Sequence, residues 1–191
     1  MYGQYSEARH GAAAAHYDGM KPEDIASIPV QRWASKDCVL LMWVTWPFMD
    51  HGIDILRAWG FKYVTGVPWV KTTPSSGLIR TGVGIWWQGC SEAMLVGVRG
   101  KSGRVKGKAV RALLCGSEVQ FYSPNAKHSE KPEELRCWAN RALQGPRLEL
   151  FATSVFPGWT GIGRALGHEL GPNGITPWPI AGAAARHGFR E

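Results

Sequence analysis

The stretch from His128 to Gly163, HSEKPEELRCWANRALQGPRLELFATSVFPGWTGIG, constrains the fold more than any other part of the chain. Pro132 suits a first helical position, and Glu133 and Glu134 follow where the helix dipole favours acids. Leu135, Trp138, Ala139, Ala142 and Leu143 recur at helical spacing and give one apolar face. Gly145 and Pro146 stop the helix. Leu148 to Ala152 is then a short apolar run of strand length, broken only by Glu149. A helix feeding a buried strand is half of a parallel α/β layer. The Gly/Trp-rich loop after it falls where open α/β sheets bind ligands.

The remaining chain supplies strands for such a sheet. Cys38 to Thr45 (CVLLMWVT) is continuously apolar and reads as a fully buried parallel strand. Pro47 forbids its simple continuation, and Met49, Ile53 and Leu56 fit one helix face that Gly60 ends. Phe61 to Val70 follows as a strand weakened by Gly66 and Pro68, completing a βαβ unit. Glu92 to Arg99 is another strand and Val119 to Tyr122 a short one. Asp18 suits the N-cap of a short helical turn through Glu23, Asp24 and Ile25, stopped by Pro29. Met1 to Ala15 lacks periodicity, and Leu166 to Glu191, rich in Gly, Ala and Pro, reads as a tail with little structure of its own.

Charge distribution narrows the partners. The chain of 191 residues carries a net charge of +7. Between Ile55 and Ser117 stand ten Lys/Arg and a single acid, Glu92. Arg99 to Arg111 holds Arg99, Lys101, Arg104, Lys106, Lys108 and Arg111, with three glycines and no acid. Interleaved glycines let a loop follow a phosphate backbone, so nucleic acid is the expected ligand of these six cations; a merely solvated basic loop is the alternative. Trp86 and Trp87, in the Gly/Ser/Pro-rich stretch from Thr72 to Gln88, suit stacking on bases or core packing. The four cysteines (Cys38, Cys90, Cys115, Cys137) are widely spaced, which supports neither a metal site nor a disulfide framework. A reduced, cytoplasmic compartment is expected, with no membrane span and no signal peptide.

These blocks, in this order, resemble the MT-A70 family of adenine-N6 methyltransferases. The resemblance rests on HYDGM followed by Asp24-Ile25 and Ile28-Pro29-Val30, then LMWVT, then WGFKYVT and WVKT, then HSEKP, and finally LELFA with GWTGIG. It implies an α/β fold: a Rossmann-like, S-adenosylmethionine-dependent methyltransferase sheet in the permuted order of the adenine-N6 class, with the cofactor-binding strand late in the chain. It implies S-adenosyl-L-methionine as cofactor, no metal, and cofactor contacts from Lys71, Glu149, Thr153, Gly163 and Arg164. His16, Tyr17 and Met20 would lie beside the target base. For Lys71 the alternative is a snorkelling surface lysine, and for Tyr17 an ordinary half-buried aromatic.

The sequence also departs from the family. The catalytic Asp-Pro-Pro-Trp, whose carboxylate and Pro carbonyl accept from the adenine amine, occurs nowhere in it. Thr153 stands where the family often has Arg, and Arg164 and Ala165 stand where it has Asn and Gln or Glu. The expected organisation is therefore a methyltransferase domain over residues 1–165, incomplete at its N-terminus and lacking a central strand, and a tail over 166–191. The expected activity is methylation of adenine N6 in DNA, on a compact phage-type enzyme that works alone or as a homo- or heterodimer. RNA is the runner-up substrate, and a catalytically inactive nucleic-acid-binding protein is the rival from another class.

Overall fold

The computed structural model describes residues 19–80, 82, 88–101, 121–124 and 131–177. The first described element is a short helix α1 (Pro22–Ser27), whose Pro22 sits in the first turn ahead of Glu23 and Asp24. Strand β1 (Cys38–Val44) leads through a 3-10 turn (Trp46–Phe48) into helix α2 (Met49–Ala58). Two long strands follow, β2 (Lys62–Thr72) and β3 (Ser91–Arg99). After the short β4 (Phe121–Pro124) come helix α3 (Glu133–Ala142) and β5 (Leu148–Leu150). The last described elements are β6 (Thr160–Ile162), β7 (His168–Gly171) and β8 (Gly174–Pro177).

The main sheet has the order β1-β3-β2-β4. Strand β3 is antiparallel to both neighbours, whereas β4 is parallel to β2. This makes the molecule α/β with a mixed sheet, and it corrects two expectations. The first is that β1 lies in a parallel pair: an apolar run reports burial but not direction, and β3 inserts between β1 and β2. The second is that β1 is fully buried. Only Val44 is, and the other six residues are half-buried, because β1 has β3 as its one neighbour among the described residues. The described pairing of β4 with β2 begins at Trp69, so among the described residues Pro68 has β3 as its one partner strand, where a proline is tolerated.

The core lies between α1, α2 and the sheet and includes Ile28, Val44, Leu56, Trp59, Phe61 and Leu95. Helix α2 lies close on β1 because residue 52 is glycine: a Cβ there would come within 2.9 Å of Val44 Cγ2. Helix α3 ends near the expected point, yet of its predicted apolar face only Ala139 is fully buried. Strand β5 is shorter than Leu148 to Ala152 and half-buried throughout, pairing with β6 in a separate two-stranded sheet.

The expected tail is also partly structured. Residues 168–177 form the β7–β8 hairpin, and Leu170 enters the core at 5% exposure. The Gly171-Pro172-Asn173-Gly174 turn carried that signal, since these are turn formers between two short extended segments. Among the described residues no helix is long and apolar enough to cross a membrane. Asp18, His128, Trp86 and Trp87 lie outside the described residues.

Candidate active site

Strands β1, β2 and β4 all point their carboxyl ends the same way, and β3 begins at that end. Open α/β sheets place ligands at such an end. Here the single acid of the basic segment is found. Glu92 is 8% exposed and opens β3 opposite Trp69 of β2. Lys71 Nζ donates to its Oε1 at 2.6 Å, and Lys131 Nζ donates to its Oε2 at 2.6 Å. Burial alone would raise the carboxyl's pKa; the charge and hydrogen bond of Lys131, with those of Lys71, outweigh it and hold Glu92 below the ordinary glutamate value. Two ammonium groups on one carboxylate leave the cluster a net positive charge.

Aromatic rings wall this cluster. Lys71 Nζ lies 5.2 Å from the centre of the Trp69 ring, and Lys131 Nζ lies 5.8 Å from Trp69 and 6.0 Å from Trp43. Trp43 meets Trp69 edge to face at 5.5 Å. Trp69 is 1% exposed, and its indole N–H donates to the Ser123 carbonyl at 3.2 Å, locking β4 onto β2.

Beside the cluster lies an open cleft of about 370 Å³. Ser123, Lys131, Glu134 and Arg136 line one part, and Ser154, Val155 and Phe156 of the loop after β5 line another. Ser123 Oγ donates to the Glu134 carboxylate at 3.1 Å. Arg136 grips Glu149 in a two-point pair, Nε to Oε2 at 3.0 Å and Nη2 to Oε1 at 2.6 Å, and stacks over Phe156 at 5.6 Å. Phe151, between β5 and this loop, holds φ at 60°, a left-handed value that costs a non-glycine residue about 1 kcal/mol.

The expected cofactor residues fall around the cleft rather than on its lining. Lys71 belongs to the Glu92 cluster, and Glu149 reaches the cleft through Arg136. Thr153 is exposed at the start of the lining loop. Gly163 is a crossing point: a Cβ there would meet the Ala152 carbonyl oxygen at 2.3 Å and its nitrogen at 2.8 Å. Arg164 pairs with Glu169 at 2.7 Å. Met20 packs against the core from the segment before α1. His16 and Tyr17 lie outside the described residues, as do Arg104, Lys106, Lys108 and Arg111. Arg99 and Lys101 stand at the far end of β3 from Glu92, roughly 23 Å along the strand at ~3.3 Å per residue. There Arg99 donates to the Gln31 carbonyl, and the Lys101 amide donates to Asp37.

Residues 3–165 match the family model for MT-A70. The chain belongs to the MT-A70 family. MT-A70 methyltransferases draw their methyl group from S-adenosyl-L-methionine. Among similar proteins is the putative N6-adenosine-methyltransferase MT-A70-like of Medicago truncatula, 33% identical over 132 residues, covering 67% of this chain and 20% of that protein. The N6-adenosine-methyltransferase catalytic subunit of Homo sapiens is 34% identical over 144 residues, covering 72% of this chain and 23% of the human one. The type II methyltransferase M.MunI of Mycoplasma sp is 29% identical over 155 residues, covering 80% of this chain and 60% of its own. The chain thus spans about a fifth of the length of the plant and human relatives.

Reasoning from sequence missed Glu92, Lys131, Glu134 and Arg136 as site residues of this MT-A70 chain. Glu92 had a signal, as the lone acid among ten cations. Lys131 and Arg136 lie in the stretch that carries the family resemblance, but their partners are 39 and 13 residues away.

Proposed function

We propose that this chain carries the cofactor cleft and the nucleic-acid-facing part of an adenine-N6 methyltransferase, on a Rossmann-like sheet in permuted order. The observation that carries the reading is the cleft lined by Lys131, Glu134 and Arg136 at the carboxyl ends of the sheet strands, in a chain of this family. The lining suits S-adenosylmethionine. Its size is that of a small-ligand pocket. An ammonium has three donors, and Lys131 spends one on Glu92, leaving others for a carboxylate. Glu134 offers acceptors to an amine or to ribose hydroxyls. Glu149 then acts as a positioning residue, aiming Arg136 from behind. When bound, the cofactor supplies a methyl group on a sulfonium, already a strong donor.

The chain's own part is to hold and orient. Glu92 fixes both lysines, and Trp43 and Trp69 keep water from their flank. The adenine amine is a poor nucleophile, because its lone pair is delocalised into the ring, so alignment supplies much of the rate. The groups that accept from that amine belong, by the resemblance, to Asp-Pro-Pro-Trp. We propose that this segment adds as a strand along β1. Support comes from β1 itself, a wholly apolar strand with one sheet neighbour among the described residues and six of seven residues half-buried. Either the same polypeptide or a dimer partner can deliver it.

DNA is the substrate we propose, because M.MunI, named a type II methyltransferase, is the relative this chain matches over the larger share of length, 60%, against 20% and 23% for the plant and human relatives. RNA is the second reading, favoured by the N6-adenosine names of the plant and human relatives. The test is transfer of labelled methyl to single-stranded DNA and RNA oligonucleotides with one adenine each. The expected result is transfer to DNA once an Asp-Pro-Pro-Trp segment is joined ahead of the chain, and none without it. Failure of the joined protein to transfer to either, while it still binds oligonucleotides, would leave the inactive nucleic-acid-binding reading in its place.

A further inference from the structure

Several large aromatics are exposed, Phe151 at 47% and Tyr122 at 42% among them, but Trp46 and Phe48 share one short turn beside the site. Trp69 and Trp59 are buried at 1% and 5% exposure, but Trp46 is 49% exposed and Phe48 47%. Both lie on the 3-10 turn at the carboxyl end of β1, with Pro47 between them restricting the turn. The turn is pinned to the site: Trp46 Nε1–H donates to Ser91 Oγ at 2.9 Å, and Ser91 directly precedes Glu92. With its one polar atom paired, the exposed remainder of the Trp46 ring is apolar surface. The Phe48 ring lies 5.9 Å from that of His51, which is also exposed, so the patch continues onto α2. Across the strand order, β1, which leads into the Trp46 turn, and β4, which carries Ser123, are separated by three inter-strand spacings, roughly 15 Å. The positive Lys71–Glu92–Lys131 cluster lies between them.

A fixed, exposed aromatic face next to a net positive cluster is the arrangement that holds a nucleic-acid strand by one base and its phosphates. We propose that the Trp46–Phe48 turn is a stacking platform for a nucleobase flanking the target adenine, with the adjoining phosphates facing the lysine cluster. This rests on the methyltransferase reading and extends it, because it names the surface that holds substrate outside the cleft. The chemistry is common to DNA and RNA, since every base offers a π face.

The test is fluorescence anisotropy of the full chain with labelled single-stranded 12-mers, one set DNA and one RNA, each containing a single adenine. A second set has an abasic site beside the adenine. Trp46→Ala is expected to weaken binding about tenfold, and Trp46→Phe less than about threefold, because a stacking face survives. The abasic oligonucleotide should lose a similar factor with the unmodified protein and nothing further with Trp46→Ala. Phe48→Ala provides the same reading should Trp46→Ala fail to fold. Affinity for S-adenosylmethionine should stay unchanged in both alanine variants. Equal oligonucleotide affinity in the unmodified and alanine proteins overturns the platform and leaves the methyltransferase reading standing. A change in molecular mass by light scattering without a change in oligonucleotide affinity overturns it in favour of a protein contact. No binding of any oligonucleotide by the unmodified chain overturns both proposals.

Discussion

Strand β1, CVLLMWV, is the more apolar sequence, yet β3, SEAMLVGVR, is the more buried strand. Strand β3 has a neighbour on each side, and Glu92, Ala93, Met94, Leu95 and Gly97 are buried. Among the described residues β1 pairs only with β3, and of its own residues Val44 alone is buried. Burial therefore follows the number of sheet neighbours rather than the apolarity of the strand. The half-buried β1 is thus the strand on which a further strand would gain most. Strand β5 repeats the pattern, apolar at both ends yet half-buried, with β6 its one neighbour among the described residues.

Substitution should separate the two environments. Leu95→Ala, at 0% exposure, should cost about 3 kcal/mol in urea unfolding, as cavity-forming changes do, whereas Leu41→Ala on β1 should cost about 1 kcal/mol. Joining the Asp-Pro-Pro-Trp segment should raise the Leu41→Ala cost toward the Leu95→Ala value. An unchanged cost would mean that β1 is not the receiving edge.

Glu92→Gln comes next, at about 3 kcal/mol, because it leaves two lysines beside a neutral amide in a partly buried site. The pH dependence carries the sign. Since the folded carboxyl sits below the ordinary value of 4.5, its ion pairs contribute fully above that value. The contribution is lost as pH falls through the lower folded value. Acid unfolding followed by circular dichroism should show this limb in the unmodified chain and lack it in Glu92→Gln.

Gly163→Ala should cost about 2 kcal/mol by overpacking against the Ala152 backbone, and should loosen the cleft loop with it. Thermal melts compared with Gly171→Ala, where a Cβ meets nothing within 4 Å, check that the cost comes from the crossing. The smallest effect belongs to Trp159→Phe. It removes the indole donor to Asn140 Oδ1 at 2.9 Å and should cost about 1 kcal/mol.

Much of the scaffold was legible in the sequence because its signals are local. Helix α3 begins at Glu133 just after Pro132, and β5 begins at Leu148 as the apolar run indicates. The place of Lys71 near the carboxyl end of a strand was legible, but its ion pair with Glu92 was not. The main-sheet order was not, since nothing local tells β1 that β3 will intervene. Nor was the partnership of Glu92 with Lys131, which depends on a chain reversal that brings residues 39 apart within 2.6 Å. The β7–β8 hairpin escaped notice because its strands have four residues each and Leu170 alone is a buried hydrophobic.

The most direct measurement of the central claim is calorimetric titration of the folded 191-residue chain with S-adenosylmethionine. The account predicts micromolar binding by the unmodified chain and about tenfold weaker binding by Lys131→Ala, as expected for losing one charged contact. No heat of binding from a folded chain, or equal affinity in the two proteins, would contradict the placement of the cofactor in this cleft.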